Sequence, residues 1–209
     1  MTMALYASLI LFSYLLGSIS TAVIVSRLMG LPDPREEGSK NPGATNVLRL
    51  GGRKAAIVTL LGDAAKGVIP VLIGRALGVD APMEAAIGLA AFLGHLYPVF
   101  FGFKGGKGVA TALGVLSGFS PLVGVSVLLT WVLVAWISRI SSLSALTAAT
   151  LSPVYLWLLT DSSAKVGAGL AMALLLISRH RANIERLLRG EESRIGAHRE
   201  SKVSAEKPS

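Results

Sequence analysis

Lys104-Gly105-Gly106-Lys107-Gly108 places two lysines among three glycines immediately before a small-residue helix predicted to begin near Val109. Glycine lets the backbone turn through positive φ and approach a ligand closely, and the first amides of a helix are unpaired donors with partial positive charge. Residues of these types in this order suit a phosphate or carboxylate. The run is not a Walker A loop, because G-x-x-x-x-G-K-[ST] cannot be laid on it and no alternating strand precedes it. The plainer alternative is a short basic turn that obeys the positive-inside rule.

Two other polar stretches favour the anion reading. Gly38 to Arg49, sequence GSKNPGATNVLR, is dense in amides, hydroxyls, turn formers and cations, a mixture suited to the oxygens of a polyol or phosphate. Arg179 to Glu192 follows the last apolar span and carries His180 and Asn183, which share a face if the helix continues. Asp63 and Lys66 lie three residues apart, roughly 12 Å into a span that begins near Ala55 at about 1.5 Å per residue. Charges at that depth must pair or face a polar cavity, so they form a structural pair or touch a ligand. His95 near another helix end caps or fills, as a lone histidine there most often does, with a functional role as the alternative.

The elements that position these residues are apolar helices. The chain has 209 residues, 52% of them apolar, 15% charged, with 23 glycines. Its mean hydropathy is +0.63. Such a chain is too apolar for a soluble domain and reads as an integral membrane protein. The formal charge of +8 is not a nucleic-acid signal, because nearly all the cations flank or follow apolar spans; their partners are anionic headgroups and phosphorylated ligands. No cysteine is present and the three histidines lack zinc-ligand spacing, so no metal and no cofactor are expected.

Seven spans are expected: Met3 to Ser26, Ala55 to Ile73, Ala85 to Phe101, Val109 to Phe119, Leu122 to Ile137, Leu143 to Leu159 and Val166 to Ser178. Ser13, Gly17 and Thr21 recur every fourth residue in the first, as close helix packing requires. Ser120-Pro121 separates the fourth from the fifth, and the fourth supplies eleven residues where spanning usually takes about twenty. If both are passes, seventeen lysines and arginines fall on one side and Arg75 and Lys165 on the other. The positive-inside rule then puts the N-terminus outside and the C-terminus in the cytoplasm. Residues 1–192 form one all-α polytopic bundle, and the basic tail 193–209 is expected to be disordered.

Three motifs in order resemble those of the acyl-phosphate-dependent glycerol-3-phosphate acyltransferases, the PlsY type. They are Gly38-Ser39-x-Asn41-Pro42-Gly43-Ala44-Thr45-Asn46-Val47-Leu48-Arg49; Gly94-His95 with Pro98-Val99-Phe100 and Phe103 to Thr111; and His180-Arg181-x-Asn183-Ile184-x-Arg186-Leu187-Leu188-x-Gly190-x-Glu192. Asp63-x-x-Lys66-Gly67 and Ser142-Leu143 are similar too, and the resemblance covers roughly residues 14 to 192. Lys40 stands where the family has glycine, which bears on how tightly that loop turns, and Ser20 where it usually has proline.

The resemblance implies acyl transfer from acyl phosphate to the 1-hydroxyl of glycerol 3-phosphate, giving lysophosphatidic acid and phosphate, at the cytoplasmic face of a bacterial inner membrane. On the matched positions, Lys107, His180 and Asn183 are the expected catalytic set. Ser39, Asn41, Gly43, Thr45, Asn46, Arg49, Lys104, Gly105, Gly106, Gly108, Thr111 and Ser142 are the expected substrate-binding set. Membrane lipid is the expected surrounding, and oligomeric state is open.

The sequence carries no His-x-x-x-x-Asp pair, no G-x-S-x-G elbow, no HEXXH run and no cysteine, so direct attack is expected rather than an acyl-enzyme. An acyl phosphate is already activated, and positioning with charge stabilisation suffices. The acceptor's proton passes to the donor's phosphate or to His180. The phosphate is favoured, on the expectation that Arg179 and Arg181 leave less of the histidine in its neutral, basic form. A transporter of a phosphorylated metabolite is the alternative, although no inverted repeat is visible and the motifs fall on one side. A lipid-binding scaffold explains the basic face but not the chosen amides and hydroxyls.

Overall fold

Breaks in the apolar sequence divide the described residues, 2–196, into nine α-helices and one 3-10 turn in a computed structural model. The expected first span is two helices, α1 (Met3–Gly17) and α2 (Thr21–Leu28), bent by 41°. The backbone is extended at Ser20, a φ of −82° that the family's usual proline would also accept. The break frees the carbonyl of Ile19, which accepts a hydrogen bond of 2.8 Å from Lys66 Nζ. Next, α3 (Ala44–Ala76) is interrupted at Gly52, where φ is +75°. Its first turns carry Asn46 and Arg49, and the remainder is the expected second span.

Asp80 caps α4 (Ala81–Leu96) by accepting from the Met83 amide at 3.0 Å, and the 3-10 turn Val99–Phe101 follows. Glu84, one residue before the expected start of the third span at Ala85, lies in the first turn of α4 and is buried. Its carboxylate meets Lys165 Nζ at 2.6 Å and Arg75 Nε at 3.2 Å. Arg75 also donates to the carbonyls of Gly118 at 2.6 Å and Phe119 at 3.1 Å. Those are the last carbonyls of α5 (Val109–Phe119), and they need partners wherever water is absent. An eleven-residue helix is thereby closed off from within.

Ser120 and Pro121 end α5 and start α6 (Pro121–Ser138), as the sequence suggests; α7 (Ser141–Leu159), α8 (Ser163–Arg179) and α9 (Arg181–Leu188) complete the chain. The centre is α5, packed on α3, α4 and α6, while α1 lies on α4 and α7 bridges α6 to α8. A methyl on Gly67 would stand 2.3 Å from the Thr111 carbonyl oxygen, and one on Gly114 would stand 2.0 Å from that of Ala64. The α3 and α5 backbones therefore touch through glycine on both sides, the small-residue packing common between membrane helices. Phe92, Ile87, Leu96, Val115, Leu156 and Met172 fill the core. Leu129, Leu133, Trp136, Trp157 and Leu158 are exposed, as side chains facing lipid tails are.

Among the described residues, four helical stretches are long and apolar enough to cross a bilayer, and α1 with α2 makes a bent fifth. The tail expected to lack structure from residue 193 is described only to Gly196, where Ser193 accepts from Arg49 at 2.6 Å and the Ile195 amide donates to the Arg139 carbonyl at 2.6 Å. Its remainder lies outside the described residues.

Candidate active site

Hydrogen bonds tie the three motifs together at one end of the bundle. Lys107 donates from Nζ to Asn183 Oδ1. The Asn183 amide donates at 2.6 Å to Glu192 Oε1, which also accepts from Ser142 Oγ at 2.8 Å. Arg186 Nε donates to Glu192 Oε2 at 2.6 Å. Thr45 and Ser141 hydroxyls lie 3.3 Å apart, and Arg179 donates to the Gly105 carbonyl at 3.1 Å. These contacts bring residues up to 96 positions apart into one cluster.

The glycine run is shaped by what lies beneath it. A methyl on Gly105 would stand 2.1 Å from the His95 carbonyl oxygen, and one on Gly106 would stand 2.3 Å from His95 Nε2. Only glycine fits so close, and Gly108 at φ +88° turns the chain into α5. In the first motif Lys40 takes φ +53°, the left-handed conformation that suits the family's glycine there. The loop therefore turns as tightly with lysine.

The polar cluster heads a cavity of about 440 Å³. Ser39, Asn41, Gly43, Thr45, Arg49, Lys107, Gly108, Ser142, His180 and Asn183 line its polar end, with Asp63 and His95 also in the wall. An apolar arm runs between α5, α6, α7 and α8 past Leu113, Leu116, Val127, Trp131 and Met172. Ala145, Ala148, Ala149 and Ser152 give α7 the small side chains that leave this space open. Of the expected site residues, Lys104 is exposed and outside the lining, and Gly105, Gly106 and Thr111 are buried outside it. Asn46 touches the cavity, but its amide group is engaged in the first loop. Its Nδ2 donates to the Pro34 and Glu37 carbonyls, both at 3.0 Å, while Oδ1 accepts from the Ser39 amide at 2.9 Å.

Glu192 and Arg186, positions of the third motif that were given no role from the sequence, also line the cavity. The available signal was a carboxylate in a basic segment just past Gly190, whose φ of +70° reverses the chain. Burial tends to raise the Glu192 pKa, yet hydrogen bonds from Asn183, Ser142 and Arg186 outweigh it and hold the group below the usual carboxylate range. Burial pushes the Lys107 ammonium down to about 8, with Glu192 opposing. Burial likewise pushes His180 down to about 4.

This corrects the expectation for His180. Burial and the nearby Lys107 cation both disfavour the imidazolium, so the neutral form is abundant rather than scarce, and the flanking arginines are not the cause. His180 Nδ1 lies 2.8 Å from the Leu176 carbonyl, which can only accept. The ring therefore carries its proton on Nδ1 and leaves the Nε2 lone pair free.

The family model described as glycerol-3-phosphate acyltransferase matches residues 7–190. A relative of that name from Methylococcus capsulatus is 68% identical over 91% of this chain and 96% of its own. Another, from Thioalkalivibrio sulfidiphilus, is 63% identical over 93% and 96%. The crystal structure of PlsY, an integral membrane glycerol 3-phosphate acyltransferase, in its glycerol 3-phosphate form matches with a TM-score of 0.87 at 43% identity, covering 91% of this chain and 96% of that one. Its lysophosphatidic acid form matches with a TM-score of 0.84 at 41% identity, covering 90% and 94%. The same motifs that meet around the cavity are thus set in a chain alike along nearly all its length, and the protein belongs to the glycerol-3-phosphate acyltransferase family.

Proposed function

We propose that this acyltransferase transfers an acyl group from acyl phosphate to the 1-hydroxyl of glycerol 3-phosphate. The observation that carries this reading is a single cavity with cations, amides and hydroxyls at one end and an apolar arm at the other. Two phosphates fit the first and an acyl chain the second. The test is phosphate release from acyl phosphate by the detergent-purified protein. Release should depend on glycerol 3-phosphate and match lysophosphatidic acid formed; release indifferent to the acceptor would refute the reading.

In the proposed step the 1-hydroxyl oxygen bonds to the acyl carbonyl carbon, and the bond from that carbon to the phosphate oxygen breaks. The phosphate leaves with the bonding electrons. Lys107 and the loop amides offset the charge that develops on it, without an intermediate acyl-enzyme. Neutral His180 can accept the attacking hydroxyl's hydrogen bond at Nε2 and so aim it. With a pKa near 4 the imidazole is a weak base, whereas a phosphate's second pKa is about 6, so the proton ends on the leaving phosphate. His180→Gln should therefore raise KM for glycerol 3-phosphate several-fold while keeping the pH profile between pH 5.5 and 7.5. A thousandfold fall in kcat with loss of a pH limb would place the proton on His180 instead, as general base catalysis is worth about 10²- to 10⁴-fold.

The proposed orientation has seven passes, the N-terminus outside, and the site facing the cytoplasm of a bacterial inner membrane. It is supported by the contacts that tie the basic segments to one end, while Arg75 and Lys165 meet Glu84 elsewhere. Such charge asymmetry is what orients membrane proteins. Cysteines introduced singly at Ser39, Ser141 and Ser193 should react with impermeant maleimide only from the cytoplasmic side. Labelling of any one from outside would overturn the arrangement.

A further inference from the structure

Three buried ionisable side chains beneath the glycine loop take no part in the proposed chemistry. Asp63 and Lys66 on α3 pair at 2.9 Å, with side chains 4% and 5% exposed. Lys66 also holds the Ile19 carbonyl in the break between α1 and α2. His95, at the end of α4, lies 3.7 Å from Asp63 through Nδ1, and its own carbonyl accepts from the Gly106 amide at 3.3 Å. The next residue is Lys107. Neither His95 Nδ1 nor Asp63 Oδ1 has a full hydrogen bond, and both residues border the cavity.

We propose that Lys66, Asp63 and His95 form a positioning unit that sets the glycine loop and, through it, Lys107. The Lys66 ammonium compensates the Asp63 carboxylate, the carboxylate faces His95 Nδ1 at 3.7 Å and draws that edge of the ring by its charge, and the ring abuts Gly106. A core-filling histidine needs none of this alignment, and a charged pair at such depth is costly unless it holds something in place. The inference deepens the acyltransfer reading, on which its kinetic arm rests.

The test combines kinetics with a measurement that needs no substrate. His95→Ala should lower kcat about tenfold or more, and the same change in a Lys107→Ala background should cost less than twofold, because coupled residues are not additive. Gly106→Ala should also lower kcat, and His95→Ala added to it should cost little more, since the methyl and the ring compete for one space. The second measurement follows modification of Lys107 by an amine-reactive ester against pH, read by mass spectrometry in detergent. The midpoint should lie near 8 in the unaltered protein and rise in His95→Ala as the loop loosens into solvent. Asp63→Asn, which keeps the shape of the side chain, should shift it the same way if His95→Ala fails to insert.

Full multiplicative losses with an unmoved midpoint would overturn the positioning unit and leave His95 as packing. Absence of acceptor-dependent phosphate release from the unaltered protein would instead overturn the acyltransfer reading, while the labelling result still decides this one.

Discussion

Lys107→Ala is expected to lower turnover by about a hundredfold or more while leaving the protein inserted and folded. A charge-assisted hydrogen bond is worth about 1.5 to 3 kcal/mol, each 1.36 kcal/mol is tenfold in rate, and a lysine bridging a phosphate can make more than one. Lys104→Ala, three residues earlier, should cost less than about threefold, because its side chain is exposed and outside the cavity. Near-equal losses at the two positions would mean that the loop acts as a diffuse basic patch. The pH profile gives a second check. Lys107 is protonated below about 8 in the free protein, so kcat/KM should fall as pH rises through that value. The limb in kcat should lie higher, because a bound phosphate favours the ammonium. In Lys107→Arg whatever activity survives should lack the limb, since guanidinium does not titrate there.

Glu192→Ala should lower turnover about tenfold to a hundredfold although Glu192 touches no proposed reacting atom. Its carboxylate accepts from Ser142, Asn183 and Arg186, and Asn183 in turn holds Lys107. Losing it unfastens three donors from two helices, α7 and α9, each bond to a charged group being worth about 1.5 to 3 kcal/mol. Glu192→Gln keeps one acceptor oxygen and should fall between. Both changes remove an anion that supports the Lys107 ammonium, so the lysine's pKa should drop and the alkaline limb should move below pH 8. A limb that stays in place in an impaired variant would show that Glu192 acts without reaching Lys107.

Much of the bundle was legible because lipid imposes a simple rule: backbone groups must be satisfied within a helix, and polar residues must be explained. Apolar run lengths, Ser120-Pro121, and the Gly105-Gly106 turn determined where helices begin and end, and the α5 limits Val109 and Phe119 were read directly. Residue types alone marked the stretches proposed to bind anions, since glycine, lysine, amide and hydroxyl groups have few other uses in so apolar a chain. Tertiary contacts decided the rest. Lys104 and Lys107 are alike in sequence, and only the packing of the loop against His95 turns one into the cavity and leaves the other in solvent. Asn46 and Asn183 are both motif amides, yet the first is spent folding its own loop and the second joins Lys107 to Glu192. Which side of its titration His180 sits on depended on burial and on Lys107, 73 residues away in the chain, and not on the arginines beside it. Local sequence sets which groups are available; the desolvation and long-range pairing that tune them exist only once the helices have packed.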